Sequence, residues 1–350
     1  MKRPTKLLGL TVTAIAATAL LAGCGTVGET GGATAAGGSD DGVFRIATVS
    51  KVEGISWFEA MRTGVDQFNE DNGDVVEAWQ TGPDTGDPAK QVQIVEDLIA
   101  QGVDALVVVP NDPQSIAPVL KKARDAGIVV ITHEAPALAA TESVDYDLEA
   151  FDNAEFGEKM FEQLADQMGG KGTFVGEVGS LTSETHMAWY NAGVAYLEAN
   201  YPDITPVSAQ PYEDDNDDSK ARDNALEILK AYPDLGGFIG TSVSAGANFA
   251  AVLKEKNLTN IATSMLSLPS VAGPYLEEDV VGSAQAWNPA GAGYAANAVA
   301  LAVLQDQAVE SGNDLKFEGY DDVTVDGKLI TGAAILMIEK GQYPGGEYPF

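Results

Sequence analysis

The chain has 350 residues, 45% of them hydrophobic, and sets 52 acidic against 20 basic side chains for a formal net charge of −32. A surface that acidic repels phosphodiester backbones, whose capture rests on Lys and Arg, so nucleic-acid partners are excluded. A single cysteine rules out an intrachain disulfide and any metal centre built from several thiolates, and beyond the first 23 residues no run of 18 apolar residues offers a membrane span.

The chain opens with Lys2, Arg3 and Lys6, then the apolar run "LLGLTVTAIAATALLAG", then Cys24. A charged start, a short small-residue-rich apolar stretch and a small-residue cleavage site make a secretion signal. The box Leu21, Ala22, Gly23, Cys24 resembles the bacterial lipoprotein signal. That resemblance implies that residues 1–23 are removed and that Cys24 becomes the lipid-bearing first residue, holding the protein at the outer face of the cell membrane. One acyl chain anchors only marginally, whereas two or three hold firmly. The next stretch, "GTVGETGGATAAGGSDDG", has almost nothing to bury, so residues 24–42 read as a flexible tether.

From Val43 the pattern changes. "VFRIATVS" (43–50) reads as a strand entering a core, and Phe58, Met61, Val65 and Phe68 follow at helical spacing. "VVEAW" (75–79) is the next strand. Asp87 and Pro88 then form an N-cap and first-turn pair ahead of Val92, Val95, Leu98 and Ile99, with Gly102 closing the helix. "ALVVVP" (105–110) and "IVVIT" (128–132) are continuous apolar runs of the kind buried on both faces, separated by a further helix ending at Gly127. Strand and helix alternate, which predicts an α/β protein with a parallel, helix-covered sheet.

The second half repeats the scheme with "GTFVGEV" (172–178), helices around 185–199 and 219–231, "GGFIGTS" (236–242), a helix around 246–256, "IATSML" (261–266) and "VVGSAQAW" (280–287). A weak internal echo links "EDLIAQGVDALVVV" to "LEILKAYPDLGGFIG". About 308 residues after the tether divide most simply into two doubly wound lobes.

Open parallel sheets bind ligands beyond the carboxyl ends of their strands. The stretches there are 51–58, 110–113, 133–134, 180–189, 241–244, 266–269 and 285–288. They hold three of the four Trp, both His, one Lys, three Glu and several hydroxyl or amide side chains, and no Gly-rich phosphate loop. Rings beside neutral hydrogen-bonders suit a small polyhydroxylated ligand, whose C–H faces pack on aromatics while its hydroxyls need partners. The candidate ligand residues are Lys51, Trp57, Phe58, Glu134, His186, Trp189, Ser242, Ser244, Gln285, Trp287 and Asn288. His133 is expected to face away from Glu134's side of its strand end. Asp214, Asn216 and Asp218 mimic the start of a calcium loop, but Ser219 and Ala225 stand where that loop needs Gly and Glu, so the stretch reads as an acidic loop before a helix, and no metal is expected.

The segments "RIATVSKVEGISWFEAMRTGV", "QVQIVEDLIAQGVDALVVVPNDP", "AGIVVITHEAP", "EILKAYPDLGGFIG", "AQAWN" and the terminal "EYPF" resemble the periplasmic-type sugar-binding lipoproteins of the ribose-binding class, in the branch of rhamnose, polyol and autoinducer-2 binders. The resemblance implies two lobes joined by three crossings near 150, 285 and 322. One lobe would be 43–150 with 288–322, the other 151–287 with 323–350, closing around the ligand. It also implies a monomer without cofactor that captures a sugar or sugar alcohol and delivers it to the permease subunits of an ABC importer. Lys51 falls where the autoinducer-2 binders place a ligand-contacting lysine, Glu134 where sugar binders place an aspartate, and Gln285 where ribose binders use a glutamine. Thr185 and His186 replace an Asp-Gln pair of the autoinducer-2 pattern, and Thr241, Ser242 and Val243 replace its Pro-Asp-Ala. These departures favour a sugar or polyol. The alternative role is a sensor lipoprotein that reports ligand, including autoinducer-2-like ligand, to a membrane receptor. No GxSxG, HExxH or P-loop pattern is present, so an enzyme is not expected. A transcription regulator of this fold would need a DNA-binding head in place of the leader.

Overall fold

The structure is a computed structural model and describes residues 42–341. The leader, Cys24, the tether up to its last residue and the aromatic C-terminus lie outside the described residues. The first lobe begins with β1 (Phe44–Val49), α1 (Ser56–Asn72), β2 (Val76–Thr81), α2 (Pro88–Gln101), β3 (Ala105–Val108), α3 (Pro113–Asp125), β4 (Val129–His133), a 3₁₀ turn (Pro136–Ala140) and β5 (Tyr146–Glu149). The second comprises α4 (Asn153–Met168), β6 (Gly172–Val178), α5 (Glu184–Asn200), β7 (Ile204–Pro206), β8 (Tyr212–Glu213), α6 (Asp218–Ala231), β9 (Gly237–Gly240), α7 (Val243–Lys256), β10 (Ala262–Leu266), α8 (Pro269–Glu277) and β11 (Ser283–Ala286). The chain then returns with α9 (Pro289–Leu304), β12 (Thr324–Asp326) and β13 (Leu329–Thr331), and crosses again to β14 (Leu336–Ile338).

Two sheets result, ordered β12-β13-β5-β4-β3-β1-β2 and β14-β11-β10-β9-β6-β7, with β8 pairing β6. All ladders are parallel except β12 with β13 and β11 with β14. The α/β double-lobe reading therefore holds. The third crossing is not at 322: β12 and β13 join the first sheet, so residues 324–331 run with the first lobe and the chain changes lobe at 332–335. The short pair seals an edge of the first sheet that would otherwise present unpaired backbone groups.

Caps written in the sequence set the helix limits. Asp87 accepts from Ala89 and Lys90 N–H, Pro88 occupies the first turn, and Gly102 closes α2 in the left-handed region at φ 71°. Asp112, Asp152, Asp217, Ser242 and Asn288 cap α3, α4, α6, α7 and α9 in the same way. The predicted face of α1 is the buried one: Phe58, Met61, Val65 and Phe68 pack against the first sheet. On the sheet's other face, Ala47, Val49, Leu106 and Val108 meet Val95 and Leu98 of α2 and Ile116 and Leu120 of α3.

Helix α9 was not read in the sequence. It is apolar nearly all round, with Ala292, Ala295, Ala296, Val299 and Ala300 all buried, because it packs against both α1 and the first sheet. Small residues let the helices approach closely: a methyl added at Gly64 of α1 would sit 1.9 Å from the Ala290 carbonyl oxygen. Gly64→Ala must therefore push α1 off α9 and is expected to lower stability by about 1–3 kcal/mol. Urea unfolding checks this; an unchanged midpoint would show that the two helices re-space freely.

Candidate ligand-binding site

Between the lobes the strand ends face one another, and a cavity forms there that is lined by Lys51, Ile55, Trp57, Phe58, Glu134, His186, Asn216, Val243, Leu266 and Trp287. It encloses about 20 Å³, roughly the room of one water. The lobes thus meet in a closed arrangement. A wider mouth of about 670 Å³ shares Ile55 and Asn216 with it and carries Glu53, Asp84 and Asp87 from one lobe and Asp215, Asp217 and Asp218 from the other, with Lys220 as the lone base in its wall.

Lys51, just after β1, donates from Nζ to Glu134 Oε2 at 2.5 Å, and Glu134 follows β4. Both side chains are buried, at 3% and 5% exposure. Glu134 has φ 61°, a left-handed conformation that a non-glycine residue adopts only when its surroundings enforce it. Burial alone would raise its carboxyl, but Lys51, with smaller help from His133 and His186, outweighs burial and holds it down to about 2. Burial pulls His186 down to about 3, with Lys51 acting in the same direction, and lowers His133 as well. Both imidazoles are neutral near pH 7, so Lys51 is the effective counter-charge and the site carries no net charge.

The loops holding this pair are fixed from behind. Gln91 Nε2 donates to the Ser50 carbonyl at 2.9 Å and the Val109 carbonyl at 2.8 Å, while its Oε1 accepts from Asn111 N–H at 2.9 Å. Asn111 Nδ2 donates to the Lys51 carbonyl at 2.7 Å. His186 Nδ1 accepts from Gly179 N–H at 3.1 Å, which places the ring proton on Nε2. Trp287 stands at the second crossing among Trp57, His133, Phe151, Phe156 and Trp189, with ring centroids 4.5–6.2 Å away. Its Nε1–H has no acceptor among the described residues.

Of the eleven residues singled out in the sequence, six line the cavity: Lys51, Trp57, Phe58, Glu134, His186 and Trp287. Trp189 lies in the aromatic cluster, its Nε1–H donating to Asn153 Oδ1 at 2.5 Å. Ser242 caps α7 and donates to Asp214, and Ser244 sits buried in the first turn of that helix. Gln285 donates to the Phe156 carbonyl at 2.8 Å inside the second lobe. Asn288 caps α9 and borders a separate hollow by the third crossing. Ile55, Asn216, Val243 and Leu266 complete the lining. Ile55, Val243 and Leu266 fall within the strand-end stretches, whereas Asn216 was hidden in its acidic loop.

The profile of the periplasmic binding protein domain matches residues 46–308. The chain belongs to this family. Its sequence is 29% identical over 210 residues to the D-ribose/D-allose-binding protein of Pseudomonas aeruginosa, covering 58% of this chain and 64% of that protein. It is 27% identical over 253 residues to the xylitol-binding protein of Mycolicibacterium smegmatis, covering 69% and 67%. Its fold is similar to LsrB from Clostridium saccharobutylicum in complex with AI-2, with a TM-score of 0.76 and 18% identity over 85% of this chain and 98% of that one. A solute-binding protein from Clostridium phytofermentas with bound L-rhamnose gives the same TM-score at 20% identity, over 85% and 96%.

Below the second lobe's half of the site lie acids of the opposite kind. Burial pushes Glu177 up to about 8 and Asp214 up to about 7, against hydrogen bonds from Asn224 and Ser242 that oppose it. A carboxyl raised on folding stabilises fully below its unfolded pKa and loses that contribution as pH rises through its folded one. Glu177 and Asp214 therefore favour pH 5.5 over pH 8.5 while the two lowered histidines favour the reverse, and Glu177→Gln is expected to move the stability difference toward pH 8.5 by about 1–3 kcal/mol. Thermal melts at the two pH values check it; equal slopes in parent and variant would refute the role of Glu177.

Proposed function

We propose that this protein captures a small neutral sugar or sugar alcohol between its lobes and hands it to an ABC importer, tethered outside the cytoplasm by a lipid on Cys24. The observation that carries the ligand class is the buried Lys51–Glu134 pair set among Trp57, Phe58 and Trp287. An ammonium and a carboxylate side by side offer donor and acceptor to vicinal hydroxyls, and the rings receive the C–H faces between them. An ionic ligand would leave one charge uncompensated in a buried site, which is strongly unfavourable. The six carboxylates of the mouth further oppose sugar acids and sugar phosphates. The relatives that bind ribose, allose and xylitol support this class, and the leader supports the location. With the roles of Lys51, Glu134, His186 and Trp287 all ones of binding, the protein acts without catalysis.

The cavity is too small for a pentose, so entry requires the lobes to part and re-close with the ligand's hydroxyls inserted between Lys51, Glu134 and their neighbours. Contacts that exist only in the closed form then shift the lobes toward it.

A thermal-shift panel of pentoses, hexoses, deoxyhexoses, four- to six-carbon polyols and autoinducer-2 tests the reading. A true ligand at 100 times its Kd adds about 2.7 kcal/mol, a rise of a few degrees. A panel without a riser among sugars and polyols would overturn the proposal. For the ligand so found, Glu134→Gln is expected to weaken binding by about 10- to 150-fold, the worth of a hydrogen bond to a charged group. Titration calorimetry reads the change, and an unaltered Kd would remove Glu134 from the site.

A further inference from the structure

The first residues of α5 behave unlike those of the other capped helices. Ser183 occupies the N-cap, yet its hydroxyl caps nothing. Instead it accepts from Lys51 Nζ at 3.4 Å, across the gap between lobes. Thr185, two residues on, donates to Glu134 Oε2 at 3.1 Å, again across the gap. Between them Glu184 reaches the rim of the first lobe, where its Oε1 accepts from the backbone N–H of Ala137 at 2.9 Å. Its other oxygen, Oε2, is buried without a hydrogen-bond partner among the described residues. A carboxylate at a rim would normally keep both oxygens hydrated; here one is given up so that the other can bond the opposite lobe. Three consecutive side chains thus leave local bonding on their own helix for partners in the first lobe. Ser183 and Thr185 do so through the pair that would hold ligand, whereas Glu184 bonds the backbone of Ala137 and neither member of that pair.

We propose that Ser183–Thr185 is a closure latch and that Glu184 is its ligand-independent bolt, setting how long the closed form lasts. This rests on the ligand-capture reading for its purpose, but its geometry does not need a ligand. Bonds made only when the lobes meet raise the closed population before any ligand arrives, and the same bonds must break before ligand leaves. Glu184 is therefore a positioning residue that acts through lobe closure.

The test compares the full chain with Glu184→Ala and Glu184→Gln. Gln retains a carbonyl acceptor for Ala137 N–H, and Ala does not. Three of the four tryptophans, Trp57, Trp189 and Trp287, are buried where the lobes meet, so acrylamide quenching of ligand-free protein reports opening. Glu184→Ala is expected to raise the quenching constant and shift emission to longer wavelength, with Glu184→Gln returning most of the way to the parent. With xylitol as probe, stopped-flow dissociation is expected to quicken about tenfold in Glu184→Ala, as for loss of one charge-assisted hydrogen bond. Quenching unchanged by Glu184→Ala, or an equally open Glu184→Gln, overturns the latch. A parent chain that binds neither xylitol nor D-ribose counts against those ligands, while the quenching comparison still decides the latch.

Discussion

An ammonium and a carboxylate held together in a buried site constrain everything around them. Neither Lys51 nor Glu134 could be buried alone, since an unpaired charge in such a setting is strongly disfavoured, and together they remain favourable only while their geometry is kept. Keeping it explains several otherwise separate features. Gln91 and Asn111 staple three strand-end carbonyls so that Lys51 starts from a fixed backbone. Glu134 takes a left-handed conformation that turns its side chain toward the lysine. Both histidines stay neutral, which leaves the pair's balance undisturbed near pH 7.

The aromatic cluster complements this polar centre. Trp287 belongs to neither lobe's interior but to the strand of chain passing between them, and rings from both sides crowd its faces and edges. Edge-to-face contacts tolerate small rotations better than interlocked aliphatic packing does, because ring centroids can slide over a range of offsets. A hinge lined with such rings can flex without opening a void. The closed form is then decided by the few directional bonds between the lobes rather than by the bulk of the apolar contact.

Much of this was legible in the amino-acid order. Asp87–Pro88 and Gly102 marked one helix end to end, and the apolar runs at 105–110 and 128–132 marked central strands. Lys51 and Glu134 stood out because position after a parallel strand is itself informative. Four kinds of feature were not legible. Helix α9 has no polar face, so no periodicity betrays it. Strands β12, β13 and β14 have three residues each, too few for alternation to show, and which sheet they join depends on the return path of the chain. Ser242 and Asn288, read as ligand groups, also cap helices, a role the sequence does not separate from ligand binding because the short polar side chain that caps a helix is the same one that would greet a hydroxyl. Asn216 was passed over because its acidic neighbours gave the loop a sufficient explanation.

The route of the chain through the two sheets has a consequence for its biosynthesis. The first lobe's strands β1 to β5 are made early, yet α9, which covers one face of their sheet, and β13, which seals its edge, follow the whole of the second lobe. A nascent chain cut off at Glu149 would carry Ile46, Val107 and Ile131 facing a missing layer. The second lobe's core elements, α4 to β11, by contrast form one uninterrupted stretch lacking only the edge strand β14. Domains complete in sequence can fold as they emerge, whereas those built from distant segments must wait. The second lobe is therefore the one equipped to fold first, with the first lobe assembling against a finished neighbour.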